Sequence, residues 1–512
     1  MSRPLVLAAL LAFALVGLAP LGCMLIRVEG ADLGGLLDAR TLALLGRTAW
    51  IGAWAAALAL VLGLPFGFLV ARTDIPGARF LRQAGLVPLL IPPLILAMTM
   101  SAVWPDLRGA SAIVLVLGVS AFPLVAVFSA RACERIDARR EDAALLAGGL
   151  RAALAMELPL VLPAALSGAC MAFVLAINDF AVPDYITSIG PKYNVYADEV
   201  FASWQSVHAP GKAVAAALPL FGLTLLVLLP ALLLRKRGAL ATYDGDFRRP
   251  EALALGAWRW PAFLAAAALL GLTALLPLLR LAWEAGGGQR GWSPAHLGAS
   301  FARAIDVGRS DLQRSLLYAG SAALLSLLPA LVLGHALERW RRGGWLEPLV
   351  VAPIALPAIL LGIGYIALWN QAWSAQLYAS GALVVMLFLG RFLCFPVLAA
   401  RGATAMLDAR LEEAAQLAGA GPLRRLGSIV QPALRTSLLG GAALVFVFGM
   451  RELDAAILVP AANGTAMFRV YNAIHFGRDD FVAALALLIV FFILLPGILW
   501  SAFGRERWEL AA

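Results

Sequence analysis

The sequence predicts an all-α polytopic membrane protein, with about twelve transmembrane helices arranged as two parallel sets of six. Three observations carry that reading. The 512 residues are 62% hydrophobic and only 14% charged, about half the charged share of a soluble domain. A membrane-spanning helix needs roughly 20 apolar residues, and twelve such runs punctuate the chain. Finally, three blocks of sequence recur in the same order in the second half, as a diverged tandem duplication leaves them.

The runs fall at 4–26, 46–71, 84–104, 110–130, 159–181 and 213–234, then at 258–283, 315–337, 345–369, 378–400, 433–459 and 480–503. Gly and Pro interrupt several, which bundled helices tolerate because neighbours re-satisfy the backbone. In the first run Arg3 alone forms the basic region and no Ala-x-Ala site follows. It therefore reads as a retained helix and not as a secretion signal. Cysteines at 23, 133, 170 and 394 show neither metal nor disulfide spacing.

The net charge is +9. Of the 40 basic residues 37 are Arg, scattered in short clusters between apolar runs. That pattern orients spans; it lacks the single basic face that nucleic acid requires. With the N-terminus inside, the inner connections hold 24 basic residues and the outer ones 14. This bias favours both termini on the cytoplasmic side of a multi-pass protein.

In the clearest repeat, Asp137-Ala138-Arg139-Arg140-Glu141-Asp142-Ala143-Ala144-Leu145-Leu146-Ala147-Gly148 returns as Asp408-Ala409-Arg410-Leu411-Glu412-Glu413-Ala414-Ala415-Gln416-Leu417-Ala418-Gly419, at an offset of 271. Upstream, Pro88, Pro92 and Trp104 match Pro353, Pro357 and Trp369 at 265; downstream, Pro159, Phe173-Val174 and Asp179 match Pro432, Phe446-Val447 and Glu452 at 273. The domains are therefore 1–235 and 258–512, joined by a polar cytoplasmic linker at 236–257. The repeated loops occupy 137–160 and 408–432.

Each loop reads as a short helix. Asp137 and Asp408 stand where an N-cap belongs. Glu141, Asp142, Glu412 and Glu413 follow in the first turns, where the helix dipole favours acids. Ala143, Ala144, Ala147 and Gly148, like Ala414, Ala415, Ala418 and Gly419, fall at i, i+1, i+4 and i+5. That spacing gives one face almost without side chains, able to lie deep in a partner's groove. Gly148-Gly149 and Gly421-Pro422 then stop the helix.

Glu413-Ala414-Ala415, Gly419, Ile429 and Pro432 resemble the EAA motif of permease subunits of ABC importers, with spacing E-A-A-x3-G-x9-I-x-x-P. Gln431 stands where that family usually has Leu. The first copy departs further, with Asp142 for Glu, Met156 for Ile and two fewer residues before Pro159. The resemblance covers nearly the whole chain as two fused permease domains of the type I importer architecture. It is nearest the ferric-iron and thiamine type, through Arg451-Glu452-Leu453 and Arg469-Val470-Tyr471. It implies that 141–148 and 412–419 are coupling helices seated on two copies of an ATPase subunit. A periplasmic or extracellular substrate-binding protein would deliver the substrate, with ferric iron the leading cargo and thiamine, another small solute or an oxyanion behind it.

Other chemistry is absent from the sequence. No Lys lies in a G-x-x-x-x-G-K-[ST] loop, so ATP-Mg belongs to the partner and this chain carries no cofactor. His208, His296, His335 and His475 are too scattered for a metal or catalytic site, and each reads as a loop or interface residue. The chain is thus expected to be a transport subunit and not an enzyme.

Ionisable residues near spans are costly and call for a reason. Asn178 and Asp179 end the fifth run; Arg451, Glu452 and Asp454 take the matching place in the eleventh. They read either as pathway or outer-gate residues or as caps at the interface. A rival to the importer is a twelve-helix secondary transporter driven by an ion gradient, which leaves the duplicated small-faced loops unexplained.

Overall fold

A computed structural model describes all residues except 1–2, 27, 31–33, 35, 37, 208–209, 239–247, 249, 341–342, 475–478 and 504–512. His208, His475 and part of the 236–257 linker lie outside the described residues. The fold is all-α, with no strand among the described residues. Eight helices are long and apolar enough to cross a membrane: α1 (Pro4–Leu25), α2 (Ala39–Arg72), α3 (Gly109–Glu134), α4 (Arg151–Ile177), α5 (Gly256–Ala285), α6 (Pro294–Arg339), α7 (Pro422–Arg451) and α8 (Asp480–Ile498). Three bent pairs raise the number to eleven if each is one span, and a shorter apolar helix covers Val214–Pro230.

Those bent pairs correct the sequence reading, which drew one helix through each. Ala78–Leu90 meets Pro93–Val103 at 94°, and Glu347–Ala355 meets Ala358–Trp369 at 100°. The cause is the repeated proline. Pro92 and Pro357 have extended ψ of 135° and 132°, and a proline drives the residue before it out of helical geometry. Ile91 and Leu356 accordingly sit at ψ 124° and 144°. The tenth run bends as well, by 85° between Ala372–Ala379 and Ala382–Phe392. A further correction concerns 294–314, read from the sequence as connecting loop. Pro294 takes the first helical position and Ser293 Oγ accepts the His296 N–H at 3.1 Å, so α6 starts there and runs 46 residues.

The chain forms two compact units, one of Met1–Gly34, Val200–Ala217 and Glu284–Ala512, the other of Gly35–Glu199 and Leu218–Trp283. The sequence repeats follow one another along the chain, yet α1 belongs to the unit that holds most of the second repeat, and α5 largely to the unit that holds most of the first. In the former, a five-residue π turn at Ala14–Leu18 presents the Val16 carbonyl to Tyr365, whose hydroxyl lies 2.6 Å from it and from the Met386 carbonyl. Gly364 and Gly390 admit the α1 backbone, which a Cβ at either would meet. In the latter, Ala266 and Leu270 of α5 join Phe66, Val70, Leu81, Phe122 and Val125 in one apolar core. A second π turn follows at Gly271–Leu275. Such turns free carbonyls from the regular ladder.

Candidate functional site

The two repeated loops are built alike. Asp137 Oδ1 accepts the Arg139 N–H at 3.0 Å, and Asp408 Oδ1 accepts the Arg410 N–H at 2.9 Å, so both aspartates are caps, as their positions suggest. The first helix runs from Ala138 to a break at Gly148 and Gly149, before α4 begins. The second is Ala409–Leu417.

The first helix stops at Gly148-Gly149, where the sequence places its end, but the second does not stop where expected. Gly421 and Pro422 do not close the second helix; they open the next one. The helix closes at Gly419, whose φ of +82° is left-handed. Ala420 N–H donates to the Ala415 carbonyl at 2.9 Å, and Gly419 N–H to that of Gln416 at 3.0 Å, the paired bonds of a Schellman closure. In the first loop the left-handed residue is Gly149, at φ +65°. It lies one position after Gly148, which matches Gly419 by spacing.

What anchors each loop was not legible in the motif. Arg72, at the C-terminal end of α2 and buried, donates from Nη2 to Glu141 at 2.5 Å and to Glu157 of α4 at 2.9 Å. Arg339, at the C-terminal end of α6, donates from Nε to Glu412 at 3.1 Å and from Nη2 to the Leu407 carbonyl at 2.6 Å. His335, one turn earlier, lies 2.8 Å from the other Glu412 oxygen. Burial pushes the Glu141 carboxyl up, with Glu157 and Asp142 adding to it, and Arg72 only partly opposes this. Burial also acts on Glu412, but His335 and Arg339 outweigh it and hold that carboxyl below its usual range.

Glu141 and Glu412 thus face their own protein. Of the motif residues, Asp142, Ala143, Ala147 and Gly148 in the first loop and Glu413, Ala414, Ala418 and Gly419 in the second are exposed, with Ala144 and Ala415 half-buried. Leu146 and Leu417, equivalent at the 271 offset, are each 90% exposed. An apolar residue beside alanines on a polar loop is the sequence signal that marks them.

The first loop has an extra brace. Ala138 N–H donates to the Arg248 carbonyl at 2.9 Å, Arg72 Nη1 to the Glu251 carbonyl at 3.0 Å, and Leu253 N–H to the Arg72 carbonyl at 2.7 Å. Thr73 and Leu253 form an isolated bridge. Glu251 and Leu253 of the 236–257 linker are therefore packed against the end of α2.

The residues read as pathway or gate candidates are placed as follows. Asp179 Oδ1 accepts the Val182 N–H at 2.9 Å, and Glu452 Oε1 accepts the Ala455 N–H at 2.9 Å. Both cap the next turn, three residues on. Asn178 is buried, its amide donating to the Val174 carbonyl at 2.8 Å and to Thr224 Oγ1 at 3.2 Å. Glu452 also receives Arg391 Nη1 at 2.9 Å, which gives the intramembrane arginine a partner. The Arg451 guanidinium lies over the Phe448 ring at 5.3 Å, and Asp454 is half-buried.

Comparison with known proteins agrees with a transport role. The chain is 29% identical to the molybdate/tungstate transport system permease protein WtpB of Pyrococcus abyssi over 199 residues, 38% of this chain and 76% of that protein. It is 26% identical to the putrescine transport system permease protein PotI of Escherichia coli K12 over 198 residues, 37% and 69% of the two chains. With the molybdenum transport system permease protein ModB of the same organism it shares 30% identity over 151 residues, 24% and 63% of the two. No protein-family model matches the chain. The shared description is the permease of a transport system, and it extends over about a third of this chain.

Proposed function

We propose that this chain is the membrane subunit of an ATP-binding-cassette importer, with both permease repeats fused in one polypeptide. The observation that carries this is the recurring loop: capped by aspartate, pinned by an ion pair to the end of a long helix, closed on a left-handed glycine, and open along several alanines and a leucine that is 90% exposed. Such a face suits a groove on a partner. Two ATPase subunits would seat on the two loops at the cytoplasmic side, bind ATP-Mg, and move the spans through the rigid ion-paired junctions. The chain itself supplies pathway and coupling and performs no hydrolysis. A binding protein outside would hand over the cargo.

Ferric iron is the cargo that the resemblance to iron-type permeases suggests. A molybdate-class oxyanion is the second reading, favoured by the names of the relatives. Uptake assays with ferric citrate, molybdate and putrescine, in cells with and without the chain, separate these. The role itself is tested by Ala414→Trp, which fills the exposed small face without straining the turn. Uptake should fall to background while the variant still reaches the membrane. Full uptake by that variant, or uptake driven by an ion gradient without any ATPase, would favour the secondary transporter.

A further inference from the structure

At the end of α2 opposite Arg72 there is a second site, independent of the loops. Arg40, Ala43, Leu44 and Arg47 fall at i, i+3, i+4 and i+7 and so share one helix face. With Lys192 and Asn194 they line a cleft of about 470 Å³. The segment carrying Lys192 is fixed to the helix, because Tyr196 N–H donates to Thr48 Oγ1 at 2.8 Å. Arg47 lies over the Tyr193 ring at 5.8 Å.

The charge in this cleft is unbalanced. Arg40 pairs with Glu199 at 2.9 Å. Among the described residues neither Arg47 nor Lys192 forms an ion pair. Asp198, a nearby acid, spends its Oδ2 on the Val195 N–H at 3.0 Å. Burial pushes its carboxyl up to about 7, which lessens its negative charge near Lys192. Two cations and an amide donor therefore converge with little to neutralise them.

We propose that the cleft of Arg40, Arg47, Lys192 and Asn194 binds one tetrahedral oxyanion, either the phosphate of a lipid headgroup or a free inorganic oxyanion. A guanidinium with an ammonium and a neutral N–H donor matches such an anion in charge and in hydrogen bonding. The same helix face continues through Trp50 and Trp54, 48% and 55% exposed. Trp50 lies about 4.5 Å further along the axis than Arg47. Exposed tryptophans on a spanning helix sit at the headgroup level, so basic groups just beyond them meet lipid phosphates.

The test compares the full chain, purified in detergent, with Arg47→Gln/Lys192→Gln. Arg79→Gln/Arg309→Gln, on exposed sites elsewhere, is the charge-matched control. One arm measures retained phosphatidylglycerol by native mass spectrometry; the other measures binding of inorganic phosphate and of molybdate by calorimetry. The cleft variant should weaken at least one arm tenfold or more, and the control neither. Loss in the first arm alone identifies a lipid site, and loss in the second a solute site. If the double variant fails to fold, Lys192→Glu on its exposed loop serves in its place. A wild-type chain that holds neither probe, a cleft variant that binds like wild type, or a control that loses as much overturns the proposal.

Discussion

The two repeated loops reach the same geometry by opposite electrostatics. In the first, one arginine serves two carboxylates, Arg72 with Glu141 and Glu157. In the second, one carboxylate serves two nitrogen bases, Glu412 with Arg339 and His335. At the offset of 267 that relates Arg72 to Arg339, Phe68 stands where the second copy has His335; at 273, Val430 stands where the first has Glu157. The adjoining pair is reversed outright. Arg82 pairs with Glu134 in one copy, and Arg401 with Glu347 at 2.5 Å in the other, at offsets of 265 and 267. Common to both loops is the arginine–glutamate tie between helix end and loop. The third partner was free to change sign, provided that no buried charge lost its counterpart.

This contrast can be broken most severely at Arg72. Arg72→Gln strands two buried carboxylates and should cost about 3–5 kcal/mol of stability. Arg339→Gln leaves Glu412 with His335 at a part-exposed junction and should cost about 1 kcal/mol. Thermal unfolding in detergent reads both, and equal losses would contradict the asymmetry. Restoring the second copy's chemistry gives a sharper check. Adding Glu157→Val to Arg72→Gln removes one stranded carboxylate and should recover part of the loss.

Smaller effects belong to the turns. Ala at Gly149 or Gly419 must adopt a positive φ and should cost about 1 kcal/mol each. Gly421→Ala, at φ −65° with open space around its Cβ, should change the melting temperature little. A reversed order would put the second helix end back at Gly421.

The smallest effect is a pH response of opposite sign in the two loops. Glu412 lies below its unfolded value, so its contribution is present above that value and is lost as pH falls through the lowered one. Glu141 lies above its unfolded value, so its junction weakens as pH rises through the raised one. As pH falls from about 7 to about 3, below the ordinary glutamate value of about 4.3, amide exchange corrected for intrinsic rate should show 138–147 gaining protection and, at the acid end, 409–417 losing it. Parallel changes would contradict the opposed shifts.

Several of these elements were legible in the sequence because they are local. Asp137 and Asp408 cap as their positions suggest, and the apolar runs mark the helices that form. The bends at Pro92 and Pro357 were half-visible: the prolines repeat, but a hydropathy window does not register a turn of more than 90°. The ion pairs were invisible, since Arg72 meets partners 69 and 85 residues away and only packing brings them together. The placement of α1 and α5 escaped for the same reason. Sequence similarity runs along the chain, whereas the apolar faces of these helices choose neighbours in space.

The most direct measurement is co-purification of the chain with the proposed ATPase subunit, comparing wild type with Leu146→Asp/Leu417→Asp. Both leucines are almost fully exposed, so the substitutions should leave folding intact, as melting temperature would verify. The wild-type chain should carry two ATPase subunits, and the double variant should lose them together with uptake. A folded double variant that still carries two ATPase subunits and transports at the wild-type rate would contradict the assignment of these loops as the docking sites.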